Sequence, residues 1–178
     1  MRRNADALTR FFHGVTREAY GELGIRDETL AGYVADLLVR FARTDGLYRL
    51  RDPGGRRIDT IVEMLLEIGR LEPGVASHPE REREIRRHIG DYALFMSGLF
   101  PEYVARRGGL DYFHEQGRRA YRSVFEHDRA RYRPGAVLFG ALAADFPRHA
   151  GALTYMRQVH FPRHAHGEVG LALRDLLS

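Results

Sequence analysis

The chain has 178 residues, 44% of them hydrophobic and 29% charged, a balance that suits one soluble domain with a core of ordinary size. Cysteine is absent, which excludes disulfides, thiolate catalysis and cysteine-ligated metal. The formal net charge is +4, but acids are interleaved among 28 basic residues that are all arginine, so charge alone does not mark a nucleic-acid binder.

The first predicted helix runs from Ala5 to about Leu23, with Leu8, Phe11, Phe12, Val15, Ala19 and Leu23 on one face. Gly21 and Gly24 end it. It opens directly after the N-terminal arginines, so no apolar leader is visible. Asp27 is a plausible N-cap for a second helix to about Ala42, whose stripe is Leu30, Tyr33, Val34, Leu37, Leu38 and Phe41. The stretch after it is the least helical. Residues 47–50 alternate, Asp52 to Gly55 is a turn signal, and Arg56 to Ile58 follow, a pattern that allows a small β-hairpin near residues 47–58. Two strands alone are marginal, so such a hairpin leans on the helices. Asp59 to Leu71 reads as the third helix, with Thr60 and Glu63 at capping-box spacing.

Ser77 to His127 is the centre of the chain. Ser77 and Glu80 open a helix that starts charged on all sides at Arg81 to Glu84 and becomes apolar on all sides from Ala93 to Phe100. Ile85, Ile89, Tyr92, Met96 and Leu99 mark its stripe. Gly90, Ser97 and Gly98 are poor helix formers whose use is to admit a neighbouring helix or a ligand, or to bend the helix before Pro101. Pro101 to Arg106 is a short helical turn and Gly108-Gly109 a break. The next helix buries Leu110, Phe113, Gly117, Ala120, Tyr121 and Val124.

Arg129 to Arg133 reads as a basic hinge before the apolar helix Ala136 to Ala144. Pro147 then starts a helix to about His160. The tail holds His160, His164 and His166, with His149 upstream; neutral imidazoles bind metal, but Pro162 breaks the helical register across them. A short helix, Gly170 to Leu177, closes the chain. The expectation is an all-α, single-domain bundle of about seven helices over residues 1–178. With no apolar run near the ~20 residues that span a bilayer, it is expected to be cytoplasmic.

Chemistry concentrates where the central helix leaves solvent. Glu84, His88 and Asp91 share a face at i, i+4 and i+7, and Asp111, His114 and Glu115 lie on the flank of the following helix. Facing helices that present carboxylates and imidazoles are how bundle metal sites are built, which makes His88, Asp91, Asp111 and His114 candidate metal ligands. His88, Asp91, Tyr92, Tyr112 and His114 form a candidate pocket, with His88 as base or ligand, Asp91 orienting it and a tyrosine hydroxyl donating to a substrate. The same positions also read as ordinary surface pairs, since Glu115 has Arg118 and Arg119 within a turn and Glu84 has Arg87. No Glu-x-x-His occurs, nor any P-loop, dinucleotide fingerprint or nucleophile elbow, so the identity of any cofactor stays unknown at this level. The expected function is a ligand-binding or interaction protein that forms a homodimer, with a metal- or small-molecule-dependent enzyme around His88, Asp91 and His114 as the alternative. Nucleic-acid binding through the arginines at 49–57 and 129–133 ranks last.

Overall fold

The computed structural model describes residues 2–42, 50–51, 53–58, 60–71, 78–164, 169–171 and 173–174, with side chains from residue 7 onward. The expected cap at Ser77, residues 47–49 of the first hairpin strand and His166 lie outside them. The chain is all-α. Its helices are α1 (Arg2–Glu22), α2 (Glu28–Phe41), α3 (Ile61–Gly69), α4 (His78–Leu99), α5 (Pro101–Arg106), α6 (Leu110–Ala130), α7 (Ala136–Ala144) and α8 (Phe146–Tyr155). A π-helical turn (Met156–His160) and a 3-10 turn (Phe161–His164) follow directly. No described helix is long and apolar enough to cross a membrane.

Local chemistry sets the ends. Asp27 accepts from the Leu30 N–H at 3.0 Å and starts α2. Thr60 and Glu63 close a complete capping box on α3. Gly24, at φ 71°, lets the Ile25 and Gly24 N–H groups bond back to Tyr20 and Gly21 and so terminates α1. Between α2 and α3, Arg51 and Arg57 form an isolated antiparallel bridge across the Gly55 turn, and the Ile58 N–H reaches the Leu50 carbonyl at 3.1 Å. The described part of the expected hairpin is thus a single pairing, pinned by the buried Leu50 and Ile58.

α4 is the axis of the bundle. It packs most extensively on α6, then on α8, with α2 and α3 on its other sides; α7 lies on α6. Small residues set these distances. A Cβ on Gly90 would lie 2.5 Å from the Tyr121 ring of α6, one on Gly98 would lie 2.6 Å from Leu153 of α8, and one on Gly117 would lie 2.2 Å from Phe146. Of the uses expected for Gly90 and Gly98, admitting a neighbouring helix is the one realised. The buried side chains of all these elements join one core, from Phe12 on α1 through Phe95 on α4 to Phe161 after α8.

The solvated start of α4 is fixed by charge. Arg83 grips Asp128 of α6 with two hydrogen bonds, the longer 2.6 Å, and Arg133 joins both Asp128 and Glu80. The predicted basic hinge is therefore an ion-paired cap: α6 runs on to Ala130, and Arg131 and Arg133 turn back to Glu80.

Candidate functional site

A buried carboxylate, Asp91, stands where α2, α4 and α6 meet. Asp91 stands on the first fully apolar turn of α4 and is 4% exposed. A carboxylate buried this far requires hydrogen-bonded compensation. α2 supplies Tyr33, whose hydroxyl donates to Oδ1 at 2.6 Å, and Arg40, whose Nη2 donates to Oδ2 at 2.9 Å. These two lie two turns apart on one face of the helix. α6 supplies Tyr121, donating to Oδ1 at 2.8 Å. Arg87, one turn before Asp91, donates from Nε to the Tyr33 hydroxyl at 3.1 Å and stands 3.8 Å from Oδ2. Both guanidiniums also lie over the Tyr33 ring, at 5.6 Å for Arg40 and 5.4 Å for Arg87.

The electrostatics follow from burial. Desolvation pushes the Tyr33 and Tyr121 hydroxyls far above the ordinary phenol range, and Asp91 pushes them further, so both remain protonated donors. Burial lowers the Arg87 guanidinium, but Tyr33 and Asp91 more than offset this and hold it above its usual value. One carboxylate faces two guanidiniums, so the cluster carries one positive charge in excess. That charge faces outward, because the Arg40 and Arg87 side chains are 33% and 36% exposed while Asp91 is covered.

The other candidates sit elsewhere. His88 is buried with its ring 5.6 Å from Phe41 of α2. His114 meets the edge of Phe146 at 5.7 Å, its Nε2 is buried without a hydrogen-bond partner, and desolvation holds it below the ordinary imidazole range against the pull of Asp111. Tyr92 and Tyr112 flank Phe113, at 6.3 and 6.0 Å. Asp111 is exposed in the first turn of α6. Among the described residues no three His, Cys, Asp or Glu side chains are grouped so as to hold a metal ion, so His88, Asp91, Asp111 and His114 do not form the expected ligand set. The reason is that Asp91 turns its oxygens to two phenols and a guanidinium, while the two histidines seat on aromatic rings of different helices.

The late histidines are spread along α1. His149 stacks on Tyr20 at 5.8 Å, His160 lies 3.0 Å from Glu22 and 3.6 Å from Glu18, and His164 meets Phe11 at 5.4 Å.

Tyr33, Arg40, Arg87 and Tyr121 are the members of this cluster that sequence reasoning passes over. Tyr33 and Tyr121 read as core stripe, and Arg87 as a partner of Glu84. A usable signal exists: an arginine one turn before an aspartate, on a face that is about to become wholly apolar, needs company from other helices.

No protein-family model, curated protein or solved structure matches the chain.

Proposed function

We propose that the protein binds a small anion, a phosphate or carboxylate group, at the Arg40–Arg87 pair on the Asp91 cluster. The observation that carries this reading is the pair of part-exposed guanidiniums held around one buried carboxylate. Among the described residues each makes a single hydrogen bond, to Asp91 or to the Tyr33 hydroxyl. A guanidinium has five N–H donors in a fixed fork that matches carboxylate and phosphate oxygens. Asp91, Tyr33 and Tyr121 keep both arginines in place before a ligand arrives, which lowers the ordering cost of binding. Asp91, chosen from the sequence as a binding residue, acts here as the positioner. Under this reading the protein works in the cytoplasm as a ligand-responsive binding protein.

The test uses inorganic phosphate with the full-length chain. Thermal unfolding followed by circular dichroism should shift upward with phosphate at constant ionic strength, because a ligand that binds only the folded state stabilises it. At phosphate about a hundred times its dissociation constant, the gain is about 2.7 kcal/mol. Arg40→Gln and Arg87→Gln should each remove the shift, while Arg118→Gln, whose guanidinium is bonded to Glu115 instead of Asp91, should keep it. A shift of equal size in all three variants, or none in the parent, rejects the site.

A further inference from the structure

We propose that the groove between α6 and α7 is a two-fold interface between copies of this chain. α7 reads Ala-Val-Leu-Phe-Gly-Ala-Leu-Ala-Ala, with no polar side chain on any side. A helix apolar all round belongs in an interior. Only one side of α7 has one: Ala136, Phe139, Leu142 and Ala143 are buried, whereas Val137 is 76% exposed and Ala144 lies on the surface. Along that outer side runs an open groove of about 300 Å³, lined by Arg122, Phe125, Glu126, Gly140, Ala143 and Ala144. Gly140 keeps its floor low, since a Cβ there would lie 3.1 Å from the Phe125 ring. A second hollow carries on from Glu126 past Arg129 to Tyr132.

Tyr132 is an independent sign that something docks here. It closes α6 in a left-handed turn at φ 54°, where the Arg133 N–H bonds to the Asp128 carbonyl and the Tyr132 N–H to that of Arg129. Glycine is the ordinary residue for that position, and any other costs about 1–2 kcal/mol. Among the described residues the ring gains almost no contact in exchange, being 94% exposed. Contact with a partner would offset the strain.

Charge identifies the partner as a second copy. Arg122 and Glu126 are exposed, opposite in sign and one turn apart, and neither has an ion-pair partner among the described residues. Two other acids of α6 are already engaged: Glu115 with Arg118 and Arg119, Asp128 with Arg83 and Arg133. Two unlike charges one turn apart on a helix are self-complementary. When two copies of α6 lie antiparallel about a two-fold axis, Arg122 of each meets Glu126 of the other, and the exposed sides of α7 are brought to the same seam.

The experiment is sedimentation of the full chain over a wide concentration range. The parent should be a dimer. Arg122→Glu and Glu126→Arg each place two like-charge contacts in the dimer and should weaken association about a hundredfold, at about tenfold per contact. The double variant R122E/E126R restores unlike pairs with their signs exchanged and should dimerise like the parent. Both positions are exposed, so melting curves at low concentration should coincide and show that every variant folds. A parent that stays monomeric, a single variant that dimerises normally, or a loss that the double variant does not restore would each overturn the proposal.

Discussion

At the scale of single residues, Asp91 ties three helices together. Its oxygens take hydrogen bonds from α2 and α6 while it stands on α4. Asp91→Ala leaves Arg40, Arg87 and two phenols around an empty place; water can reach the part-exposed guanidiniums, so the loss is chiefly that of buried donors left unpaired, about 1–3 kcal/mol. Urea unfolding should show that loss as a lower midpoint. Tyr121→Phe removes one donor of three and should cost about 1 kcal/mol by the same assay. Asp91 could be singled out in the sequence, because a carboxylate at the edge of an apolar run has to be doing something. Its partners could not be read there. Tyr33 sits 58 positions away and Tyr121 sits 30 positions away, and periodicity shows which face a tyrosine takes without showing where its hydroxyl ends.

Helices were the most legible level, because their ends and faces depend on neighbours within a few residues. The Thr60–Glu63 box and the Asp27 cap stand where sequence chemistry puts them. The end of α6 shows what local rules miss. Arg129 to Arg133 looks like a free basic segment, yet Glu80, about fifty positions earlier, draws Arg133 back to 2.7 Å and the helix closes over Tyr132. Tyr132→Gly should therefore act in two opposite directions. Relieving the left-handed turn should raise the stability of the isolated chain by about 1 kcal/mol, read from denaturant unfolding at low concentration. Losing the exposed ring should weaken self-association, read by sedimentation. A stability loss would mean that the ring has contacts within its own chain.

Across the whole molecule, protonation should act in one direction. His114 and His149 are held below the ordinary imidazole range chiefly by desolvation. The unfolded chain therefore takes up protons first, and stability begins to fall as the pH drops below the ordinary histidine value of about 6.5. A second loss follows below the ordinary glutamate value of about 4.3. There Glu80, held down first by its bond from Arg133, and Glu115, held down by Arg118 and Arg119, must be protonated. The carboxyls' contribution is present above that value and is lost as the pH falls through their depressed folded values. Thermal midpoints measured from neutral to acid pH should fall in both windows, and His149→Phe should flatten the first. The all-α class and the central place of α4 could be read from periodicity and composition. Which helices touch could not, because glycines such as Gly90 and Gly117 declare a close approach without naming what approaches.

The π turn after α8 has a consequence of its own. It holds one residue more than a regular turn, and at about 100° per residue every position beyond it is rotated out of phase with the helix before it. That phase shift delivers His160 to Glu22 and Phe161 to the ring of Phe12. The end of the fold is thus keyed to its beginning by a count of residues as much as by their identity. A chain shortened by one residue here could still coil as a helix, but it would lose its address on α1.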